Sequence, residues 1–391
     1  MTSARNLVFV SLVAVGTSVW FCSGCSGLHI FRVNRTKVRQ DALAEIRQAA
    51  ESKDHATRAH AMEALPLALG QSGGVICKQA LSDPVAEVRF AAAMAIGDIR
   101  YAPAKEKLLR MARWKVEGAE PDARVFCGVV YALHRLGDSR HTSQLGSLLF
   151  DRRKHVRASA VVAMGKMREP SAVVPLREAM ANELDHGLTL EFTCSLARCG
   201  DKRSLRLLEA YTKSQFVDER MIAIQAMAEM RSTLGPSVFA SLMVGDQSPR
   251  VRVAAARGLA RIGRGNQRTF RYCARAAVEP RKLMNKALGG RRQSTQEEVR
   301  SLQRLAAMSL GWFRGNDQAV DVLAGLLRND DDGVRVAAAA AILRVLPQRQ
   351  GESRGILGRK TPKASAGAES KPAAKRRQPK RPKLHTAGAK D

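Results

Sequence analysis

The sequence predicts an all-α protein, an α-solenoid in which about nine helix pairs stack into a superhelical array. One helical pattern recurs nine times between Arg58 and Arg335, and seven of its eight successive spacings lie between 31 and 37 residues. A stripe of apolar residues recurs at the same places in every copy. Self-similarity at a period of about 32 residues is the signature of a helical repeat protein, whose extended surface is suited to binding.

Each copy can be aligned on one anchor residue that precedes the apolar stripe. The nine anchors are Arg58, Arg89, Phe126, Arg157, Thr189, Arg220, Arg252, Gln303 and Arg335. Seven places after each anchor stands a large aliphatic residue: Leu65, Ile96, Leu133, Met164, Leu196, Met227, Leu259, Leu310 and Ile342. The preceding place is always small, and the tenth place is always apolar. Apolar residues at this spacing form one face of a helix, and a small neighbour lets the next helix approach closely.

Polar residues and glycines mark where the helices begin and end. A polar or acidic residue such as Asp83 or Asp246 stands six places before each anchor, where it starts the helix or the turn before it. Gly137, Gly200 and Gly263 follow the stripe directly and indicate helix ends. A further helix precedes each anchor helix, so the repeat is a helix pair.

The amino-acid pattern of the repeat resembles that of a known family. The run from Asp83 through Val88 and Arg89 to three alanines, and the runs 246–262 and 330–346, resemble HEAT-like repeats of the phycobilisome-lyase type. The resemblance covers roughly residues 38–346. It implies a superhelical array of helix pairs, but such arrays include scaffolds, nucleic-acid binders, lyases and hydroxylases, so function must be argued from sites.

The amino-terminal residues 1–25 have the layout of a secretory signal, followed by a linker over 26–37. A single basic residue precedes fifteen largely apolar residues, and small residues then precede Cys25. This resembles a bacterial lipoprotein signal and implies lipidation of Cys25. Basic residues crowd just after the proposed cleavage site, against the positive-inside tendency. An uncleaved anchor and a cytoplasmic chain therefore stay open as alternatives.

The carboxyl-terminal residues 347–391 predict a disordered basic tail. They hold 13 Lys or Arg against 3 acidic residues and almost no large apolar side chains. The rest of the chain has 52 basic and 33 acidic residues, so the positive charge is distributed and favours a polyanionic partner. Anionic lipid, a cell-envelope polymer and nucleic acid are the candidates. Candidate contacts in the tail are Lys375, Arg376, Arg377, Lys380 and Arg381.

An insertion at about residues 276–296 lengthens one repeat by about 19 residues. Insertions in solenoids map to loops on one face and often carry function. We expect a mobile basic arm beside the groove of the array, and a solvated loop without a function is the alternative. The candidate anion contacts are Arg281, Lys282, Lys286, Arg291 and Arg292.

Arginine recurs at the anchor in six copies: Arg58, Arg89, Arg157, Arg220, Arg252 and Arg335. A ladder of guanidinium groups could bind carboxylates or phosphates of a ligand. The simpler interpretation is structural, with each arginine paired to an acidic residue or carbonyl of an adjacent repeat.

Catalytic, metal-binding and cofactor-binding motifs are not found. The sequence has no His-Glu dipeptide, and its eight histidines do not share a repeat position, so repeated His-Glu iron ligands are not in register. Cys127, Cys194 and Cys199 fall in or beside repeat helices and are expected to pack as small hydrophobes. We therefore predict no catalytic residue, no metal and no cofactor.

The functional prediction is a noncatalytic scaffold tethered to the bacterial cell envelope. Its groove would bind a protein or peptide partner, and its basic tail would contact anionic partners. The alternatives are a cytoplasmic nucleic-acid-binding protein and a lyase or oxidoreductase of the HEAT-like group.

Overall fold

The computed structural model describes residues 33–113 and 122–346, and these form nine helix pairs and one additional helix. No strand occurs among these residues. The first helices of the pairs are α1 (Arg35–Ala50), α3 (Gly74–Ala80), α5 (Lys105–Met111), α7 (Ser143–Leu148), α9 (Val173–Ala181), α11 (Lys202–Tyr211), α13 (Gly235–Gly245), α15 (Gln267–Val278) and α18 (Asp317–Leu326). The second helices are α2 (His55–Ala68), α4 (Ala86–Ile99), α6 (Ala123–Arg135), α8 (Lys154–Met167), α10 (His186–Arg198), α12 (Val217–Glu229), α14 (Pro249–Arg261), α17 (Gln296–Leu310) and α19 (Asp332–Val345). The additional helix is α16 (Pro280–Leu288). The predicted all-α solenoid is confirmed.

Local sequence sets the ends of the second helices. The Asp185 carboxylate accepts a hydrogen bond from the Leu188 N–H at 2.9 Å at the start of α10, where it satisfies a donor that has no partner within the helix. At the other end, Gly137, Gly200 and Gly263 have φ of +85°, +96° and +80°. Glycine adopts this left-handed region without steric cost, and the predicted helix ends are confirmed.

The core consists of the predicted apolar stripe. All nine aliphatic residues seven places after the anchors are buried, as are Cys77, Cys127, Cys194, Cys199 and Cys273. Burial raises the pKa of four of these thiols to about 12 and that of the fifth, Cys199, to about 11, so they stay protonated.

The two ends of the array meet, and the array closes into a ring. The last helix, α19, packs on α1 and α2 as the earlier second helices pack on the pairs that follow them. Arg335 Nε lies 2.9 Å from Glu45 Oε1, and Arg39 Nε donates to the Leu346 carbonyl at 3.3 Å. Arg35 also forms an ion pair with Asp317. Closure was not predicted from the sequence, which indicated only a curved superhelical array.

The insertion is folded, which corrects the expected mobile arm. Pro280 occupies the first turn of α16, where its missing N–H costs nothing, and Leu283 and Met284 are buried. After the helix, the Asn285 side chain accepts a hydrogen bond from the Ser294 N–H at 2.8 Å. The segment is therefore an additional helix and turn before α17. No helix in the described part of the chain is long and apolar enough to cross a membrane.

Candidate functional site

Cavities on the inside of the ring are lined by α2, α14, α17 and α19 through residues that include those two, five and nine places after each anchor. A cavity of about 350 Å³ is bounded by α2, α12, α14, α17 and α19, which are not all neighbours along the chain. A second cavity of about 320 Å³ lies between α12, α14 and α17. The two cavities share Met221, Arg257 and Leu305, so they are parts of one inner surface.

The ninth position forms a belt of mostly charged side chains. Its members are Leu67, Asp98, Arg135, Lys166, Arg198, Glu229, Arg261, Trp312 and Arg344. Five of the nine are basic and two are acidic, so the belt carries a net positive charge. We call these residues the inner belt.

In repeats two and four the charges of the inner belt are paired, and between them Arg135 donates to the Gly97 carbonyl at 3.4 Å. Asp98 accepts a hydrogen bond from the Tyr131 hydroxyl at 2.6 Å and forms an ion pair with Lys166 at 2.7 Å. The Lys166 ammonium lies 5.3 Å from the centroid of the Tyr131 ring, within range of a cation–π interaction. Burial, together with Asp98, raises the pKa of Tyr131. This part of the ring is filled and satisfied.

In repeats five to seven one carboxylate forms ion pairs with two guanidinium groups. Glu229 lies 3.2 Å from Arg198 and 3.2 Å from Arg261. Burial opposes ionisation of Glu229, but the two guanidinium groups outweigh it and keep its pKa below the usual value. Glu229 is therefore a shared negative charge.

In repeats seven to nine the arginines of the inner belt surround Trp312, and no ion pair with a carboxylate is found there for Arg344 among the described residues. Arg344 Cζ lies 3.3 Å and Arg261 Cζ 5.0 Å from the centroid of the Trp312 ring. The Arg344 Nε is buried and has no hydrogen-bond partner among the described residues. Burial and nearby arginines lower the pKa of Arg344 and of Arg257 to about 10. Positive charge is concentrated beside the larger cavity.

The arginines at the anchors lie in contacts within the array. Arg58 binds Asp83 at 2.7 Å, Arg157 binds Glu183 at 2.8 Å, and Arg220 binds Asp246 at 2.8 Å, each in the following repeat. Arg335 binds Glu45 of α1 at 2.9 Å across the ring closure. Arg89 donates to the Asp83 carbonyl at 2.9 Å, and Arg252 donates to the Met243 carbonyl at 2.9 Å.

The five basic residues of the insertion are exposed on α16 and its turn. Arg281 donates to the Ser294 carbonyl at 3.2 Å, and Arg292 forms an ion pair with Glu298. Lys282, Lys286 and Arg291 also face solvent. Arg292 is thus already neutralised in part, which leaves less free charge than the sequence indicated. Cys25 and the five tail residues from Lys375 to Arg381 lie outside the described residues.

An apolar row runs along one edge of the ring. Phe150, Leu184 and Phe216 occupy the connections between the two helices of repeats four, five and six, and they are 53%, 99% and 55% exposed. Because consecutive repeats pack side by side, their connections lie along the same edge. We call these three residues the edge row.

Sequence reasoning missed both the inner belt and the edge row. The belt could have been found by reading the ninth residue after each anchor, where charge recurs although the neighbouring positions are apolar. The edge row could have been found by looking for large apolar residues inside the turns. Within residues 33–113 and 122–346, no group of three His, Cys, Asp or Glu side chains could hold a metal ion.

Comparisons with known proteins identify the repeat. Residues 75–99 match the HEAT repeat, and residues 156–182 match the PBS lyase HEAT-like repeat. Among curated proteins nothing matches the chain.

Several solved structures are similar in part. An engineered protein is 18% identical over 78% of this chain and 99% of its own, with a TM-score of 0.27. Human deoxyhypusine hydroxylase in complex with glycerol is 14% identical over 68% of this chain and 97% of its own, with a TM-score of 0.29. The Escherichia coli protein YibA is 14% identical over 84% of this chain and all of its own, with a TM-score of 0.27. TM-scores this low say nothing about what this chain binds.

The fold and its inner face define a ring-shaped helical-repeat scaffold. Its repeats are of the HEAT type, so the chain is a HEAT-like repeat protein. Stacked repeats of this kind present extended surfaces to binding partners, and a protein partner is the general expectation for them.

Proposed function

We propose that this protein is a noncatalytic scaffold at the bacterial cell envelope that binds a segment of a partner protein along the edge row. The observation that carries the proposal is the exposure of Phe150, Leu184 and Phe216 in three consecutive repeats. Large apolar side chains that lie together on a surface mark an interaction site, whereas scattered single ones do not. Phenylalanine is also among the residues enriched in protein interfaces.

Polar groups flank this row and favour a protein rather than a bare apolar ligand. Lys154 forms an ion pair with Asp185, and Arg250 lies 2.8 Å from Asp218, so charged pairs follow the same edge. An apolar centre with a polar rim is the usual composition of a protein interface. Both pairs are at least partly exposed, and they can exchange partners when a protein docks.

The tether is proposed from the amino-terminal sequence. Lipid on Cys25 would fix the ring to a membrane, since two or more acyl chains give a stable anchor. The basic tail over 347–391 would then contact anionic headgroups, each Lys or Arg contributing about 1 kcal/mol near the surface. Both contacts would keep the edge row close to envelope partners.

One set of cells is used to test both the edge row and the membrane tether. A photo-crosslinking residue is placed at position 216 in the full chain. The control position is Val278, because Val278 is 57% exposed at the end of α15 in repeat eight, outside the three repeats of the edge row. We expect one protein adduct from position 216 and none from position 278. Adding Phe150→Ser and Leu184→Ser should remove the adduct without changing the melting temperature.

The same cells carry the test of the tether. Wild type should fractionate with the membrane, and Cys25→Ala should shift in size or fraction. A soluble protein that is indifferent to Cys25→Ala would remove the envelope proposal, and salt-dependent binding of nucleic acid would then be the function to test. Equal adducts at positions 216 and 278 would remove the edge row as the docking surface.

A further inference from the structure

The larger cavity on the inner face holds more positive charge than its surroundings neutralise. Arg257 and Arg344 both line it, and neither has an ion pair with a carboxylate among the described residues. Glu229 is already shared by Arg198 and Arg261. Glu63 lines the cavity from α2, and no ion pair joins it to either arginine. The guanidinium groups of Arg257 and Arg344 are therefore able to bind a negatively charged ligand.

Most of the remaining wall of the cavity is apolar; its other polar side chains are His60, Ser301 and Arg304, and Arg304 already forms an ion pair with Glu297. Leu67 is 49% and Met308 41% exposed, and both line this space together with Leu305 and Val336. Several alanines of α19 complete the wall, so side chains there are short. The volume of about 350 Å³ lies at the lower end of the range of roughly 300–1,000 Å³ for small-ligand sites. The cavity has room for a small molecule with an apolar body.

We propose that this cavity binds a small carboxylate with an apolar chain, such as a medium-chain fatty acid. Arg257 and Arg344 bind the carboxylate, and the chain lies on Leu67, Leu305 and Met308. The planar guanidinium group matches a carboxylate with two parallel hydrogen bonds, and such charge-assisted bonds are strongest where water is scarce. The Trp312 ring packs against the Arg344 guanidinium group through a cation–π contact, which holds this hydrogen-bond donor in place.

The unpaired charges of the empty site should lower the stability of the fold. The stability of charge-removing variants therefore distinguishes a binding role of these arginines from a structural one. The pKa of Arg257 and of Arg344 is lowered to about 10, so the folded ring holds their charges less favourably than water does. Removing either charge should leave the unliganded protein as stable as wild type or more stable. An arginine kept for folding would show the opposite.

Trp312 provides a reporter inside the full-length protein. The chain has three tryptophans, and Trp20 and Trp114 lie outside the described residues. Trp20→Phe and Trp114→Phe leave Trp312 as the single fluorescent indole. The protein is titrated with decanoate, and with decanol as an uncharged probe of similar length, at one fixed concentration of an uncharged detergent.

Decanoate should change the Trp312 fluorescence saturably, and decanol should bind more weakly by about tenfold or more, since a hydrogen bond to a charged group contributes roughly 1.5–3 kcal/mol. Arg257→Gln and Arg344→Gln should each weaken decanoate binding about tenfold or more for the same reason. The matched control is Arg268→Gln, because Arg268 is exposed on α15 and does not line the cavity. Its affinity for decanoate should equal that of the parent.

Four results would overturn the inference. Decanoate could give no saturable change, or decanol could bind as tightly, in which case no anion is recognised. Arg268→Gln could weaken binding as much as Arg344→Gln does, which would place the effect in overall charge. A lower melting temperature of unliganded Arg257→Gln and Arg344→Gln would make both residues structural. None of these results bears on the edge row or on Cys25.

Discussion

Two parts of the ring use the same repeat position in opposite ways. In repeats two to four the inner belt is filled, because Asp98 binds both Tyr131 and Lys166. In repeats seven to nine it carries Arg261 and Arg344 around Trp312, beside an open cavity. The backbone of the two parts is the same helix pair. The difference shows that a repeat array can place a packed core and a binding site at equivalent positions by changing only side chains.

Packing explains why one part is closed. An added Cβ at Gly97 would lie 2.5 Å from Tyr131 Cε1, so the tyrosine ring fits against bare backbone. The equivalent space beside α19 is bordered by alanines and by arginine side chains that repel one another. Close packing in the first case stabilises the ring, whereas the second case leaves volume and charge for a ligand.

The largest expected effect on stability comes from removing a buried side chain from the filled part of the inner belt, in repeats two to four. Tyr131→Ala should lower the free energy of unfolding by about 3–5 kcal/mol, because it removes a buried aromatic ring and leaves a cavity. It also removes the hydroxyl from Asp98. Phe150→Ala is the matched control, since that ring is 53% exposed, and thermal unfolding compares the two. Similar melting temperatures for both variants would mean that the filled part of the inner belt does not stabilise the ring.

The next effect concerns the shared carboxylate between the two parts. Glu229→Gln should lower the free energy of unfolding by about 2–3 kcal/mol, because Arg198 and Arg261 lose a partly buried negative partner. The same change should tighten binding of decanoate, since it increases the unneutralised charge near Arg257.

A second substitution sharpens this test. Arg257→Gln in the Glu229→Gln background should restore part of the lost stability, because it removes one of the repelling charges. The measurement is a double-mutant cycle of urea unfolding. Strictly additive effects of the two substitutions on the free energy of unfolding would contradict electrostatic coupling across this part of the ring.

A smaller effect is expected outside the inner belt, at the arginine ladder. Arg157→Ala should lower the free energy of unfolding by about 1–3 kcal/mol at neutral pH, because Glu183 is only 4% exposed and would lose its partner. Arg157 holds the pKa of Glu183 below its ordinary value. The stabilisation is therefore complete above the ordinary value of 4.5 and is lost as the pH falls through the lower folded-state pKa.

Melting temperatures measured at neutral and acidic pH check this prediction. The gap between wild type and Arg157→Ala should be wide near neutral pH and should narrow on acidification. Arg153→Ala is the control, since Arg153 is 57% exposed in its pair with Asp151 and exposed pairs contribute little. A gap of constant width would show that Arg157 acts through its hydrocarbon stem or its carbonyl contacts instead.

The sequence predicts the repeat because each copy must bury the same stripe, which places aliphatic residues at one spacing nine times. The polar contacts across the ring closure involve Arg39, Glu45 and Asp317, which occupy no repeated position, so no periodic pattern indicates closure. The folded insertion was missed because basic residues and a Gly-Gly pair suggested a loop. Its buried Leu283 and Met284 are the signal that indicates a packed helix.

The candidate site is harder to predict for a physical reason. Reading the ninth residue of each repeat finds the charges of the inner belt, but whether a charge is neutralised depends on distances between repeats. Lys166 reaches Asp98 across two repeats, a contact that no local pattern encodes. Arg257 stands outside the ninth position and becomes part of the site only because α14 faces α19 and α2 across the cavity.

The smallest effect on stability should come from the edge row, which lies outside both parts of the inner face. Phe216→Ser should change the free energy of unfolding by no more than about 0.5 kcal/mol, because the ring is 55% exposed and an exposed side chain loses little on truncation. The same substitution should remove the partner adduct and leave decanoate binding unchanged, which binding assays on one preparation can compare. Loss of decanoate affinity in Phe216→Ser would couple the edge row to the cavity, because Phe216 directly precedes α12 and Met221 of α12 lines the cavity wall. Unchanged affinity would leave two independent surfaces on one ring, one for a protein and one for a small anion.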